Sequence, residues 1–210
     1  MAKAAIVYVG TADGLATYSD PGNTGRWRRV GHTLEGRAVQ AILAADAATL
    51  IVAVAGEAPL ASTDGGQTWS TAPSAEADSL CAFLEAEGPL VTTAHGPAHW
   101  KGDHAPAPGA VALALLAGRQ EVLIAAIAGG TAIVRSEDGG ATWAQATIDG
   151  ALRGGVTTIV PASYHIDYAW AGTDAGQLLR SEDRGRTWRE VGNEPAPIHC
   201  LAVVRLESSS

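Results

Sequence analysis

The sequence is poor in the residues that mark several large classes of protein. Its 210 residues include only two cysteines, Cys81 and Cys200. Both fall in apolar runs, so we expect buried free thiols rather than a disulfide framework. Only 17% of the residues are charged, whereas 47% are hydrophobic. This balance excludes wholesale disorder and is sufficient for one substantial core.

Long apolar runs are also missing. None reaches the length that crosses a membrane. The N-terminus passes at once into the strand-like run 5–9, without the apolar segment and cleavage site of a leader. We therefore expect a cytoplasmic protein that does not bind a membrane.

Runs of lysine and arginine are absent as well. The net charge is −8 and the sequence pI is about 5.1, which argues against a nucleic acid partner because such partners attract basic surfaces. One basic cluster stands alone, where Arg26, Arg28 and Arg29 surround Trp27. We interpret these arginines as solvated strand and turn positions.

What the sequence does contain is an octet that occurs three times, with the pattern Ser-x-Asp-x-Gly-x-Thr-Trp. An aspartate here can accept hydrogen bonds from backbone N–H groups that follow it, and glycine permits a positive φ. Each octet is therefore predicted to be a structural turn, with its tryptophan opening the next strand. The defining residues are Ser62, Asp64, Gly66, Thr68 and Trp69; Ser136, Asp138, Gly140, Thr142 and Trp143; and Ser181, Asp183, Gly185, Thr187 and Trp188.

These octets resemble the Asp box, or BNR repeat, of sialidase-like β-propellers. The resemblance implies that each octet joins the third and fourth strands of a blade. It also implies a place at the periphery, away from any catalytic face. The Asp-box residues are accordingly expected to be structural.

Longer repeats align around the octets. Each unit contains a strand, a glycine turn, a second strand, the Asp-box turn and a strand that begins with tryptophan. Units of about 40 residues with four strands each are typical of propeller blades. We predict an all-β fold in which residues 1–210 form a single five-bladed β-propeller of four-stranded antiparallel blades. The predicted blades span 5–34 with 198–206, 37–73, 79–105, 109–148 and 155–192.

The two ends of the chain are predicted to close this ring. The first unit lacks an innermost strand, and one strand is left over at 198–205. Pairing it with the strand near 5–10 would complete blade one and remove an exposed edge. The alternative architecture, a twisted β-sandwich, explains neither the leftover strand nor the repeat length. The box of the first unit, Ser19 to Trp27, is one residue too long and counts as degenerate. The third unit loses its box at 100–104, and the prolines that follow predict a short or missing outer strand.

Candidate ligand-binding side chains fall in loops that share one face of such a ring. A pair of carboxylates there would suit a glycosidase. Asp13 and Asp174 are better interpreted as stabilising glycine turns that recur in the blades. The candidates on this face are Asp13, Glu57, Asp149 and Asp174, together with Arg37 and Arg153.

Comparison with the sialidases argues against that activity. The family grips its substrate carboxylate with three arginines and carries a Phe/Tyr-Arg-Ile-Pro motif before its boxes. The motif does not occur here, and only Arg37 and Arg153 are expected at the channel mouth. The predicted ring is also one blade shorter than that of the sialidases.

The third unit contains a histidine cluster, His95, His99 and His104, with Trp100 inside it. Three imidazoles could hold Zn²⁺, but their spacing matches no ligand motif. The alternative is a polar loop that fills the space of the missing strand. Trp100 either anchors a sugar or partner or packs against the adjacent blade. No metal or cofactor is predicted.

Together these features favour a monomeric, non-catalytic Asp-box propeller that acts as a scaffold for a protein or a glycan. If binding is specific, we expect the third unit to contribute, because variation in repeat proteins concentrates in their binding loops. The alternative is a small glycoside hydrolase of sialidase-like fold that uses carboxylates at the channel mouth.

Overall fold

The computed structural model describes residues 5–22, 24–73, 90–93, 96–99, 109–116, 122–127, 129–162 and 164–206. Only the backbone is described at 90–93, 96–99 and 115. These ranges contain nineteen strands and no helix, hence no helix that could cross a membrane. The chain divides into two compact units, Met1–Glu87 with His199–Ser210, and Gly88–Ile198.

The first sheet lies in the first unit and has the strand order β19-β1-β2-β3. In this sheet the first and the last described strands, β1 and β19, lie next to each other, as predicted from the leftover C-terminal strand. The β-branched residues of β1 suit a buried strand, and Val7 and Val9 are fully buried. The strands are β1 (Ala5–Thr11), β2 (Gly14–Ser19), β3 (Arg28–Thr33) and β19 (Ile198–Arg205).

The second sheet completes the first unit, with antiparallel strands in sequence order. Tyr8, Leu15, Val39, Leu50 and Val52 join the two sheets in one apolar cluster. The Tyr8 hydroxyl donates to the Ala47 carbonyl at 2.6 Å, and burial raises the pKa of Tyr8 to about 12. The strands are β4 (Val39–Ala44), β5 (Leu50–Val54), β6 (Leu60–Ser62) and β7 (Ser70–Thr71).

The third sheet lies in the second unit and has six strands in the order β13-β12-β11-β10-β8-β9. β8 pairs in parallel with β10, with Thr92 opposite Ala114. The hairpin β8–β9 comes from the predicted third blade, and in the described residues it extends the sheet of the predicted fourth blade instead of forming its own. Residues 79–86 of the predicted third blade lie outside the described residues. The strands are β8 (Leu90–Thr93), β9 (Gly96–His99), β10 (Ala112–Leu115), β11 (Leu123–Ile127), β12 (Ala132–Ser136) and β13 (Ala144–Gln145).

The fourth sheet has five strands in the order β14-β18-β17-β16-β15. β14 directly follows β13, but it leaves the third sheet and pairs in parallel with β18. The buried residues Ile124, Ile133, Ile159, Leu179 and Trp188 belong to one cluster that joins the third and fourth sheets. The strands are β14 (Thr147–Asp149), β15 (Val156–Pro161), β16 (Ala169–Thr173), β17 (Gln177–Ser181) and β18 (Thr187–Asn193).

The all-β prediction is therefore confirmed, and two of the four sheets are four-stranded and antiparallel as predicted. The other two are larger because β8 and β14 each add to a neighbouring sheet by a parallel pairing that the repeat pattern does not contain.

Cys200 is a free thiol on β19 and is half-buried. Its Sγ lies 3.7 Å from the Val39 carbonyl oxygen, and the loss of solvent raises the pKa of the thiol. A side chain at Gly10 would collide with this sulfur, which accounts for glycine near the end of β1. Cys81 lies outside the described residues.

Candidate functional site

The three Asp boxes share one hydrogen-bond pattern. In each, the aspartate Oδ2 accepts from the threonine hydroxyl at 2.6 Å, while Oδ1 accepts from the backbone N–H of that threonine. The serine Oγ accepts from the backbone N–H of the glycine at 2.8 Å in all three. The side chains therefore satisfy backbone donors of the turn itself.

The first unit keeps part of this pattern despite its extra residue. The Asp20 carboxylate accepts from the backbone N–H groups of Thr24 and Gly25, at 3.1 and 2.6 Å. The aspartate-to-threonine spacing of four residues is preserved. Relative to a full box, two residues, Gly25 and Arg26, are added before Trp27, and the residue between the serine and the aspartate is missing. The Ser19 hydroxyl donates to the Ala5 carbonyl instead.

These hydrogen bonds stabilise the ionised aspartates. Donation from the Thr68 hydroxyl and backbone, followed by donation from Ser62, lowers the pKa of Asp64 to about 2. The pKa of Asp138 is lowered in the same way by Thr142 and Ser136. Burial opposes the change at Asp183, but the bonds from Thr187 and Ser181 outweigh it and the pKa is lowered there too.

Two buried arginines brace the boxes from the preceding position. Arg135 lies 2.7 Å from Glu137, and Arg180 lies 2.6 Å from Glu182. The sequence Arg-Ser-Glu-Asp occurs at both boxes, and each arginine side chain is less than a tenth exposed. The sequence pattern did not predict the ion pairs of these arginines with the second residue of the octet.

In the first unit, the structure brings three of the predicted ligand residues into neighbouring loops. The Asp13 carboxylate accepts a hydrogen bond from the backbone N–H of Gly36 at 2.8 Å. Arg37, the next residue, donates from Nε to Glu57 Oε1 at 2.9 Å and from its terminal nitrogen to Oε2. The predicted site residues here are thus bonded to each other or to the backbone.

In the second unit, Asp174 repeats the role of Asp13. Its carboxylate accepts a hydrogen bond from the backbone N–H of Gly155 at 2.8 Å. Gly155 directly precedes β15, and Asp174 directly follows β16. Arg153 lies nearby in sequence and donates to Glu190 and Asn193 at 2.7 and 2.9 Å. Both predicted residues of this loop cluster are therefore engaged.

Asp149 is located elsewhere, in β14 at the outer edge of the fourth sheet. It lines a groove of about 500 Å³, next to the ion pairs that Glu182 makes with Arg180 and Arg189. Sequence reasoning missed this groove, because nothing in the repeat indicates that the chain after Trp143 crosses to another sheet. The lining comprises Thr147, Ile148, Asp149, Gly150, Arg180, Glu182, Thr187, Trp188 and Arg189.

The predicted histidine cluster cannot be placed in full. His95, Trp100 and His104 lie outside the described residues, and His99 ends β9, where only the backbone is described. Among the side chains that the structure does describe, no group of three or more His, Cys, Asp or Glu residues could hold a metal ion.

Comparison with known proteins supports the identity of the octet. Residues 60–71 match the family model of the BNR/Asp-box repeat, so the chain contains this repeat. No curated protein matches the sequence.

Several solved structures resemble the chain at low identity. YCF48 bound to D1 peptide is 17% identical over 87% of this chain and 77% of that one, with a TM-score of 0.40. A GH74 enzyme from Niastella koreensis is 14% identical over 93% of this chain, with a TM-score of 0.35. An ancestral GH74 enzyme is 15% identical over 89% of this chain, also with a TM-score of 0.35. The chain spans only 25% of the length of each GH74 enzyme. The likeness concerns the fold alone.

Proposed function

We propose that this chain is a non-catalytic scaffold that binds a protein or a glycan. The observation that carries the proposal concerns three of the predicted mouth carboxylates. Asp13, Glu57 and Asp174 each make a hydrogen bond within the protein. Two of these contacts are to backbone N–H groups, and the third is a two-point contact with Arg37.

A glycosidase makes different demands on its carboxylates. One must donate a proton to the leaving oxygen, and the other must act as nucleophile or base about 5–5.5 or 6.5–9.5 Å away. A carboxylate oxygen that accepts a backbone N–H from a neighbouring loop is engaged in holding that loop. Asp13 and Asp174 are therefore suited to fixing loops, and Glu57 to fixing Arg37.

The scaffold proposal includes a five-bladed ring. The pairing of β19 with β1 supports closure of the ring through blade one. Deleting residues 198–206 should then expose β1 and cause aggregation. A truncated protein that stays monomeric and unfolds in one cooperative step would contradict the closure.

The catalytic alternative is tested by assaying the purified chain for release of reducing sugar from soluble β-glucans and for cleavage of aryl glycosides, with a glycan array run on the same material. We expect no turnover, with or without glycan binding. Turnover that disappears in Asp13→Asn or Asp174→Asn would overturn the proposal, provided that the variant remains folded.

Asp46→Asn serves as the matched control, because it makes the same chemical change at an aspartate that also accepts backbone N–H groups but is not a candidate site residue. An activity that survives in all three variants would point to a contaminating enzyme. Unfolding curves for the same set separate structural loss from loss of a catalytic group.

A further inference from the structure

The outer edge of the fourth sheet shows how this repeat accepts an additional strand. β14 pairs in parallel with the start of β18, and the Thr147 N–H donates to the Arg186 carbonyl at 2.8 Å. In this register Ile148 lies opposite Trp188 and Asp149 lies opposite Arg189. An extended segment with an apolar residue followed by an acidic one thus occupies this edge.

β3 is the corresponding outer strand of the first sheet. Both strands follow a box aspartate, and the local sequences, Trp-Arg-Arg-Val-Gly and Trp-Arg-Glu-Val-Gly, differ at one position. Both also contain a register shift against the preceding strand, β2 or β17. Counted from that shift, Arg28, opposite Ser19, takes the place of Arg189, opposite Arg180. Arg29, opposite Tyr18, takes the place of Glu190, opposite Leu179.

The edge of β3 differs from that of β18 because no described strand covers it. It ends its sheet, and no strand among the described residues pairs with its outer side. Val30 is 61% exposed, and Arg26, Arg28 and Arg29 are exposed as well. Unpaired N–H and C=O groups on such an edge can template another extended chain.

The charges on this edge select the occupant. Successive side chains of a strand point to opposite faces, so Arg28 and Arg29 present one positive charge on each face. β18 carries Arg189 and Glu190 at the equivalent place, and its occupant supplies one carboxylate, Asp149. Replacing that glutamate position by an arginine favours an occupant with two consecutive acidic residues, since opposite charges across strands attract.

We infer that the outer edge of β3 binds an extended acidic segment of another protein by parallel strand addition. The inference rests on the proposed binding function and specifies its partner class. The protein as a whole carries a net charge of −8, but this does not cancel the attraction between the basic edge and an acidic segment. Physiological salt screens charges that lie more than about 8 Å from the bound segment.

The test is fluorescence anisotropy with a labelled ten-residue peptide of threonine and valine that carries a central Asp-Glu pair. A matched peptide with Asn-Gln supplies the neutral comparison. Binding of the acidic peptide should weaken at least about tenfold in Arg28→Gln/Arg29→Gln and should fall with added salt. The double variant Arg28→Glu/Arg29→Glu should instead bind a peptide with a central Lys-Lys pair.

Ser70→Glu/Thr71→Glu is the control for net charge. It lowers the net charge by two, as the glutamine double variant does, but on β7, the outer strand of the second sheet. Binding should be retained in this control. Methylation of alternate backbone nitrogens of the peptide should abolish binding, because strand addition requires those donors.

Three results would overturn the inference: no binding of the acidic peptide, equal loss in the β3 and β7 variants, or full binding of the methylated peptide. The first would show instead that the arginines protect the edge from pairing. Hydrolase activity alongside intact peptide binding would overturn the non-catalytic function and leave the strand addition standing. Absence of both would overturn the strand addition alone.

Discussion

The guanidinium Nε of Arg184 lies 2.5 Å from the Asp167 carboxylate, and Arg184 stands where the other two full Asp boxes carry Gly65 and Gly139. Its φ is 65°, close to the 73° and 71° of those glycines. The backbone N–H of Arg184 also donates to the Asp167 carbonyl at 2.9 Å. One residue thus holds both the backbone and the side chain of Arg184 in a left-handed conformation that arginine otherwise disfavours.

This relationship predicts an unusual order of stability. Arg184→Ala loses the ion pair but keeps the positive φ, whereas Arg184→Gly loses the ion pair and removes the strain. We expect Arg184→Gly to be more stable than Arg184→Ala by roughly 1 kcal/mol in the free energy of unfolding, and so to unfold at a higher urea concentration. The same two substitutions at Arg189 in β18 should give the opposite order, because glycine weakens a strand. An alanine variant that is the more stable at both sites would contradict this account.

Removing a box serine should leave a buried donor without an acceptor. Ser136 is 1% exposed, and its Oγ accepts from the Gly140 N–H at 2.8 Å. We expect Ser136→Ala to lower the free energy of unfolding by about 1–3 kcal/mol. Ser70→Ala, at an exposed position, should change it little. Equal effects in urea unfolding would mean that the serine hydrogen bond is not a source of stability.

Acid should weaken the fold through the boxes. An unfolded aspartate has a pKa of about 3.9, whereas that of Asp64 is about 2 and those of Asp138 and Asp183 are also lowered. Between these pKa values the aspartates of the native state stay ionised, whereas those of the unfolded state bind protons. Stability from this source is complete above about pH 5 and is lost as the pH falls through 4 toward about 2.

The check is urea unfolding at several pH values, with Asp64→Asn beside the parent chain. The variant should be less stable at neutral pH, and its stability should fall less steeply in acid. Thr68→Val should act in the same direction, because it removes the hydroxyl that donates to Asp64. Parallel curves for all three proteins would exclude the box as the source of acid sensitivity.

Two adjacent glycines provide a matched test of a close backbone approach. A Cβ at Gly130 would come within 2.5 Å of the Val156 nitrogen, whereas at Gly129 it would meet nothing within 4 Å. Both have positive φ, at 86° and 69°. Each alanine variant should show a strain cost of about 1–3 kcal/mol, and Gly130→Ala should lose more because its loop must also move. Equal melting temperatures would contradict the tight fit seen at Val156.

The sequence was sufficient to predict the local structure. A turn that satisfies its own donors is encoded within eight residues, so the Asp-box geometry follows from Ser136, Asp138 and Thr142 alone. The pairing of β19 with β1 followed from counting strands against blades. Both inferences depend on repeats that can be compared within the chain.

The site could be predicted only in part. Asp13 and Asp174 were expected to stabilise local glycine turns, whereas the backbone donors they bind, Gly36 and Gly155, lie 23 and 19 residues away, and no local pattern specifies them. The transfer of β14 to the fourth sheet was missed for the same reason. A contribution of His99, Trp100 and His104 to binding stays a prediction.

The neighbour relation of β1 and β19 also sets an order in time. A ribosome adds about 5–20 residues each second, so β19 follows β1 by roughly 10–40 s, during which the first sheet stays incomplete. Closing a loop of this length costs more chain entropy than any hairpin in the protein. Nascent chains on neighbouring ribosomes can meet the open side of β1 in that interval, so the protein is exposed to mispairing for most of its translation and is protected only once β19 has been made.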